Sequence, residues 1–393
     1  MIVKLPMLGS SISPGDMLYA VSRMNDKSAP SEFARAISKY TGLKNIYLAS
    51  SGIASFYIIL EALKLRSKKK QVILPAYTAG SLVVAVKKAG LEVVLCDISL
   101  HDYGPDEGSM LKAISKETLA IVYIHLFGIG TPGIEKLKKI VSPDIFIIED
   151  CAQAMGTEID GKRVGTFSDV SFFSFNRGKN MPLTTGGFIA TDSVNLAKGI
   201  ERYYMPLTEG RLMQSAIESV VKILAFNLSV LPFVYGSCYS IISRFKETTP
   251  PKDFIVRNIT HFQSALGAIL LNKLDILVSK RYENGMYLIN ALKDIDRISI
   301  PEISSNSRPA FNRFPVLFKD TSKREVAEKR LSCSGIETSR MYLKPLYRMF
   351  DLCLKNENFP NADYCAEHLL TLPIHPSVRG KDLDKMIEVM RTV

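Results

Sequence analysis

The chain has 393 residues, 47% of them hydrophobic and 23% charged, which is the composition of a globular protein of about two domains and excludes a disordered chain. Its six cysteines are scattered and form no C-x-x-C pair, which argues against a zinc site and favours a reduced, cytosolic protein. The net charge of +11 would suit nucleic acid, an anionic membrane surface or phosphorylated substrates, but no nucleic-acid-binding motif accompanies it, so we do not expect nucleic acid as a partner.

The chain begins with Met-Ile-Val-Lys-Leu-Pro-Met, which lacks the apolar region of a signal peptide, so we expect a cytoplasmic protein. From about residue 45 to residue 195, short apolar runs alternate with helical patterns. This alternation predicts an α/β fold in which a mainly parallel sheet is covered by helices on both faces. The predicted strands are 71–74, 91–96, 119–125, 144–149, 169–175 and 187–191, and the predicted helices include 54–65, 81–89 and 135–140.

This pattern predicts a large domain over residues 1–262, with active residues at the carboxyl ends of its strands. An uncharged segment of 21 residues interrupts it between Lys222 and Arg244. Its length is close to that of a membrane span, but a proline, an asparagine, a glycine and four serines dilute its hydrophobicity. We expect a helical insertion at about 216–246, in which a pair of buried helices covers a subunit interface. Contact with a membrane surface is the less favoured alternative.

A second region, residues 263–393, predicts a smaller C-terminal α/β domain. It opens with one long helix or two abutting helices up to residue 292. A strand at 313–318 and helices at 323–331 and 383–390 follow.

Asp150 and Lys179 are the residues of greatest chemical interest. Asp150 ends the run Ile-Phe-Ile-Ile-Glu-Asp, and Lys179 ends Ser-Phe-Phe-Ser-Phe-Asn-Arg-Gly-Lys. Each alone has an ordinary explanation, because an Asp at a strand end often forms a turn and a Lys in a loop is usually solvated. Together they suit pyridoxal phosphate, which needs an amine to hold its aldehyde and a carboxylate to keep its ring nitrogen protonated.

Two polar residues lie near this pair in the sequence. Gln153 follows Asp150 by about one helical turn, so its amide could reach the phenolic oxygen of the cofactor. Ser174 precedes Lys179 by five residues in an extended run, where its hydroxyl would suit a phosphate oxygen.

Two further groups come from earlier in the chain. Ser51, Gly52 and Ile53 open a predicted helix, whose free N–H groups could receive a phosphate dianion, although Ser51 has an equal claim to be only an N-cap. Tyr77 follows a predicted strand, and its ring could stack on a pyridine ring or pack in the core.

Nine motifs recur in order along the chain: Ser-Ser-Gly-Ile-Ala at 50–54, Leu-Pro-Ala-Tyr-Thr at 74–78, Ile-His-Leu-Phe-Gly at 124–128, Glu-Asp-Cys-Ala-Gln-Ala at 149–154, Val-Gly-Thr-Phe-Ser-Asp at 164–169, Ser-Phe-Asn-Arg-Gly-Lys at 174–179, Gly-Gly at 186–187, Gln-Ser-Ala-Leu-Gly at 263–267 and Leu-Pro-Ile-His-Pro at 372–376. With these motifs the chain resembles the DegT/DnrJ/EryC1/StrS family of sugar aminotransferases, which are fold-type I pyridoxal-phosphate enzymes. The resemblance covers nearly the whole chain except the uncharged segment.

The resemblance implies a role for each candidate residue. Lys179 would hold pyridoxal 5'-phosphate as a Schiff base, and Asp150 would pair with its ring nitrogen. Gln153 would contact the ring hydroxyl, and Ser174 with the first residues of the helix at Gly52 would bind the phosphate. The resemblance also implies a homodimer in which each subunit lends Asn258 to the other. The implied reaction moves an amino group from glutamate to a nucleotide-linked keto-sugar in amino-sugar or surface-polysaccharide biosynthesis.

Three positions depart from the family's pattern. Ile53 stands where the family usually has Thr, Ala79 stands where it has the stacking aromatic residue, and no Arg follows Asn258. Two alternatives therefore stay open: a pyridoxal-phosphate enzyme with another acceptor or a dehydrase-like reaction, and a non-enzymatic descendant with a sensory or assembly role. Lys179 argues against the dehydrase, because related dehydrases carry His at that place.

Overall fold

The computed structural model describes residues 3–206, 212–239, 249–352 and 358–393. Its helices are α1 Pro14–Ser22, α2 Ala29–Thr41, α3 Gly52–Lys64, α4 Ser81–Lys88, α5 Glu107–Ala113, α6 Ile134–Ile140, α7 Val194–Tyr204, α8 Leu212–Ser229, α9 Pro232–Ser237, α10 His261–Leu292, α11 Thr321–Cys333, α12 Leu346–Met349, α13 Pro360–His368 and α14 Gly380–Thr392. Its strands are β1 Asn45–Ala49, β2 Gln71–Pro75, β3 Glu92–Cys96, β4 Thr118–Ile124, β5 Phe146–Asp150, β6 Glu158–Ile159, β7 Lys162–Arg163, β8 Val170–Ser174, β9 Gly187–Thr191, β10 Ile298–Ser299, β11 Ser307–Arg308, β12 Phe314–Phe318 and β13 Leu369–Leu372.

A seven-stranded sheet forms the centre of the protein, in the order β1-β9-β8-β5-β4-β2-β3. The neighbours among β3, β2, β4, β5 and β8 pair in parallel, whereas β9 is antiparallel to both β1 and β8. Every residue of β4 is buried, as expected for a central strand with helices on both faces. The predicted α/β fold with a mainly parallel sheet is confirmed, and the six predicted strands correspond to β2, β3, β4, β5, β8 and β9.

Residues up to 292 form one long helix, α10, and not two abutting helices, which confirms the first of the two predicted alternatives. The Thr260 side chain caps it by accepting from the Gln263 N–H at 3.2 Å. Gly267 lets α2 approach, because a Cβ there would lie 2.5 Å from the ring of Phe33. Among the described helices, α10 alone is long and apolar enough to cross a membrane, but 56% of its apolar window is buried inside the protein, as in a core helix.

The C-terminal region forms a three-stranded antiparallel sheet, β10-β12-β13, with helices against it. The N-terminal segment joins this region: the Leu5 N–H donates to the Gly335 carbonyl at 2.8 Å, and the Glu337 N–H donates to the Leu5 carbonyl at 2.9 Å. Residues assigned from sequence to the large domain thus pair with the smaller one. The boundary after residue 262 stays a prediction.

The predicted insertion at 216–246 contains most of α8 and all of α9, and residues 240–246 lie outside the described part of the chain. Helix α8 starts at Leu212 and α9 starts at Pro232, so the uncharged segment does not form one continuous span. Ile223 is buried, but Val221 and Leu228 are 59% and 58% exposed. This face of α8 is therefore uncovered within the single chain, where a second subunit would have to bury it. The subunit interface stays a prediction.

Candidate active site

The carboxyl ends of the parallel strands meet at one edge of the sheet, and the predicted site residues lie there. Ser51 and Tyr77 follow β1 and β2, Asp150 ends β5, and Ser174 ends β8. Lys179 lies in the turn after β8, where its N–H donates to the Asn176 carbonyl at 3.1 Å. The parallel topology thus gathers residues that are far apart in the sequence.

Asp150 and Lys179 act on each other electrostatically. Asp150 is only 6% exposed, and burial raises its pKa to about 6, while the Ala152 N–H at 2.9 Å and the charge of Lys179 oppose that rise. Burial lowers the pKa of Lys179 to about 8, and the charge of Asp150 opposes the fall. At neutral pH the carboxylate is mostly ionised, and the amine can lose its proton at little cost. The pair therefore combines a fixed negative charge with an amine suited to proton transfer.

A buried hydrogen-bond network holds Glu149, the residue before Asp150, in place. The Thr131 N–H donates to His125 Nδ1 at 3.1 Å, so His125 must carry its proton on Nε2 and donate it to Glu149 Oε1 at 2.9 Å. Glu149 also accepts from the Phe167 N–H at 3.2 Å. Cys151 lies close enough to His125 and Glu149 for the three to hold a metal ion, but both ring nitrogens of His125 are already engaged. These hydrogen bonds therefore fix the carboxyl end of β5, where Asp150 lies.

Gln153 and Tyr77 both contact a second tyrosine, Tyr342, from the C-terminal region. Gln153 Oε1 accepts from the Phe127 N–H at 3.2 Å, and its Nε2 donates to the Tyr342 hydroxyl at 3.4 Å. Tyr77 is 1% exposed and packs edge-on against Tyr342, with ring centroids 5.4 Å apart. The position of Tyr77 matches the core-packing alternative, and its stacking role stays a prediction.

The start of α3 forms a compact cradle against β8 and β9. The Ser51 side chain caps α3 by accepting from the Ala54 N–H at 3.2 Å, so the N-cap interpretation holds for its hydroxyl. The N–H groups of Gly52 and Ile53 lie in the first turn, where a helix offers them no internal acceptor. A Cβ at Gly52 would lie 2.9 Å from the Cβ of Ser174, and one at Gly187 would lie 2.7 Å from the Gly52 nitrogen. Only glycines allow this close packing, which leaves two N–H groups and a hydroxyl side by side.

Asn258 lies beside this cradle within the same chain. The Ser50 N–H donates to the carbonyl of Arg257 at 2.8 Å, which fixes the backbone next to Asn258. The Arg257 guanidinium turns away and donates to Ser215 Oγ of α8 at 3.1 Å. The role of Asn258 across a dimer stays a prediction.

Sequence reasoning missed two residues of the C-terminal region that reach this edge. They are Tyr342, described above, and Arg313, whose charge adds to the lowering of the Lys179 pKa. Neither belongs to a recognisable local motif. His125 is different, because it lies in one of the quoted motifs but was given no role.

We expect Gly52→Ala to weaken phosphate binding at the cradle by about tenfold or more, since the new Cβ must displace Ser174. The affinity for pyridoxal phosphate, measured by absorbance titration, checks this. Gly380→Ala is the matched control, because a Cβ there meets nothing within 4 Å. Equal affinities of the two variants would show that the cradle does not bind the phosphate.

An α/β sheet that presents a buried carboxylate, an amine and a helix N-terminus along one edge has the groups of an enzyme active site. The chain belongs to the DegT/DnrJ/EryC1/StrS aminotransferase family, which it matches over residues 23–228 and 254–391. The sequence prediction of an aminotransferase is confirmed. The stretch between the two matched ranges covers α9 and most of the uncharged segment.

Related proteins match nearly the whole length of the chain. The chain is 26% identical to dTDP-3-amino-3,6-dideoxy-alpha-D-galactopyranose transaminase of Aneurinibacillus thermoaerophilus, over 91% of this chain and 88% of that protein. The sugar aminotransferase CalS13 from Micromonospora echinospora has the same fold, with a TM-score of 0.80, 18% identity and 99% of each chain covered. So does E coli GDP-4-keto-6-deoxy-D-mannose-3-dehydratase with bound hydrated PLP, with a TM-score of 0.80, 22% identity, and 99% and 100% covered.

Proposed function

We propose that this protein is a pyridoxal-phosphate-dependent aminotransferase that moves an amino group from glutamate to a nucleotide-linked keto-sugar, for amino-sugar or surface-polysaccharide synthesis. The observation that carries the proposal is that Asp150 and Lys179 act on each other electrostatically at the sheet edge that also holds the Gly52 cradle. The relative from Aneurinibacillus is named a transaminase of a dTDP-sugar, which supports the same substrate class here.

The residues present fit this cofactor. Ser174 and the N–H groups of Gly52 and Ile53 would hold its phosphate, because a helix N-terminus with a hydroxyl beside it favours a dianion. Asp150 would pair with the protonated ring nitrogen, and Gln153 with the ring hydroxyl. When bound, the cofactor supplies an aldehyde that combines with the donor's amine and a ring that delocalises the electrons of a broken C–H bond.

Lys179 transfers the proton in this proposal. With a pKa near 8, its amine Nζ can accept a proton from the donor's α-carbon and return it to a neighbouring atom. Asp150 stays ionised at neutral pH, and its support by the His125–Glu149 network keeps it in place. The walls formed by Tyr77 and Tyr342 exclude water from this side of the site.

The test is the reaction in two halves. Glutamate added to the protein loaded with pyridoxal phosphate is expected to remove the cofactor's visible absorption band, and a nucleotide-linked 3- or 4-keto-sugar is expected to restore it. Mass spectrometry should then find an amino sugar. A panel that varies the nucleotide and the keto position identifies the acceptor.

Two outcomes would contradict the proposal. A protein that takes up no pyridoxal phosphate would exclude the cofactor. A sugar product that has lost a hydroxyl group and gained no nitrogen would indicate a dehydratase, the reaction for which one structural neighbour is named.

A further inference from the structure

An exposed arginine lies in the turn that follows β8. Between residues 170 and 187 only Asn176, Arg177 and Thr185 are exposed, and every other residue is buried or half-buried. The Thr185 hydroxyl accepts from Gln263 Nε2 at 2.8 Å, and the Asn176 side chain accepts from the Arg177 N–H at 2.7 Å. Of these three exposed side chains, that of Arg177 alone has no hydrogen bond to a described residue.

The guanidinium of Arg177 also has no counter-ion within the described part of the chain. Arg163, by contrast, pairs with two carboxylates, at 3.1 and 3.0 Å. Surface arginines are commonly left solvated, so exposure alone would not single Arg177 out. Its place does, because it comes three residues after Ser174, which lies at the cradle, and two residues before Lys179.

The turn holds the backbone of Arg177 in a fixed position. Its neighbour Gly178 has a φ of 77°, and a Cβ at Gly178 would lie 2.6 Å from the side chain of Leu8, so the turn packs closely against the N-terminal segment. The Asn312 side chain donates to the carbonyl of Gly178 from the other region of the chain. A ligand of Arg177 therefore has to order only its side chain, which lowers the entropy cost of binding.

The spacing of Arg177 and Lys179 suits a molecule whose anion lies some distance from its reacting carbon. The two Cα atoms are at most about 7 Å apart, because two residues span no more than that. In an amino acid the carboxylate is bonded to the carbon that carries the amine. In a nucleotide-linked sugar, the sugar ring separates the keto carbon from the diphosphate. The second arrangement allows Arg177 to bind the anion while the keto carbon lies beside Lys179.

The charges of this edge make a further cation useful to such an acceptor. Asp150 is mostly ionised at neutral pH, and the Gly52 cradle is proposed to hold a phosphate dianion. A diphosphate that approaches this edge would be repelled by both negative charges. An exposed guanidinium beside Lys179 offsets that repulsion, and its planar group can form parallel N–H···O bonds to phosphate oxygens.

We propose that Arg177 binds the diphosphate of the nucleotide-linked acceptor and so places the acceptor's keto carbon beside Lys179. This inference rests on the proposed aminotransferase function and names the residue that recognises the charged group of the acceptor. Arg177 is therefore a specificity-determining residue for nucleotide-linked sugars over free sugars.

The experiment measures equilibrium binding of dTDP, GDP and UDP to the purified protein loaded with pyridoxal phosphate. The nucleotide that binds the wild type most tightly is then titrated into the variants. Arg177→Gln is expected to weaken its binding by about tenfold or more, and Arg177→Lys by less, because lysine keeps the charge but not the planar geometry. Added salt should weaken nucleotide binding more steeply in the wild type than in Arg177→Gln.

Arg66→Gln is the matched control and should bind the nucleotide like the wild type. Arg66 is also exposed, but it follows α3 at the opposite end of that helix from the cradle. The nucleoside without its phosphates is a second control, because its affinity should be the same for the wild type and for Arg177→Gln.

Three outcomes would overturn the proposal. They are nucleotide binding that is unchanged in Arg177→Gln, the absence of binding of all three nucleotides to the wild type, and a loss of pyridoxal-phosphate affinity in Arg177→Gln. The last outcome would assign Arg177 to the phosphate of the cofactor.

The nucleotide titrations judge Arg177 separately from the proposed function. A nucleoside diphosphate has neither an amine nor a keto group, so its binding does not depend on amino transfer. A protein that no amino acid converts would refute the proposed function, whereas the nucleotide affinities alone decide the role of Arg177.

Discussion

Lys179→Ala is expected to lower the rate of amino transfer by at least about 10³-fold, because the amine of Lys179 both holds the cofactor and moves the proton. Arginine should not replace it, since a guanidinium does not give up its proton at working pH. Lys179→Arg should therefore be nearly as inactive as Lys179→Ala. The measurement is kcat/KM for amino-sugar formation, with borohydride reduction as a second readout: only the wild type should retain cofactor covalently.

Lys162→Ala provides the control, because the Lys162 side chain is 64% exposed and lies in a short outer strand. It should match the wild type in both readouts. If Lys179→Ala kept more than about a tenth of the wild-type rate, the lysine would not be the proton carrier.

Asp150→Asn is expected to lower amino transfer by about 10²-fold or more and, at the same time, to stabilise the cofactor-free protein. The two effects have one cause. The fold raises the pKa of Asp150 from 3.8 to about 6, because burial removes water from the carboxylate. That burial is useful only when a cation pairs with the carboxylate.

The stability effect has a defined pH window. Below pH 3.8 Asp150 is protonated in both the folded and the unfolded state, so it costs nothing. As the pH rises from 3.8 to about 6, ionisation favours the unfolded state, and the loss reaches about 3 kcal/mol above that window. Asn carries no charge, so the free energy of unfolding of Asp150→Asn should exceed that of the wild type at pH 7 and approach it near pH 4.

Urea unfolding of the cofactor-free proteins at both pH values checks this prediction. Asp294→Asn, at an exposed carboxylate, is the control and should show no such difference between the two pH values. A wild type that is as stable as Asp150→Asn at pH 7 would mean that the carboxylate is not strained by burial.

The sheet and half of the site followed from the sequence because their signals are local. Buried parallel strands read as continuous apolar runs; Asp150 ends one of them, β5, and Lys179 lies in the turn that follows another, β8. Helices α1 and α2 and strand β1 were not predicted, although Phe33 and Ile37 give α2 a helical pattern of buried residues. Strand β13, only four residues long, gave too short a signal.

The other half of the site depends on contacts across the sequence. Tyr342 contacts Gln153, and the charge of Arg313 acts on Lys179, because the C-terminal region packs against the large domain, for example where the Asn312 N–H donates to the Phe127 carbonyl. No spacing or composition marks such a contact in advance. What covers the exposed face of α8 is a question of the same kind, because an uncharged stretch shows that residues are apolar, not which neighbours cover them.

The antiparallel strand β9 links ligand binding to the integrity of the fold. Because β9 is antiparallel to its neighbours, its first residue, Gly187, lies next to Gly52 at the cradle. Its partner β1 comes from a part of the chain more than a hundred residues earlier. The cradle exists only after these distant strands have paired, so the unfolded chain cannot offer it to a phosphate. Phosphate-bearing ligands therefore bind the native state alone, and the melting temperature of the protein should depend on how much cofactor the solution contains.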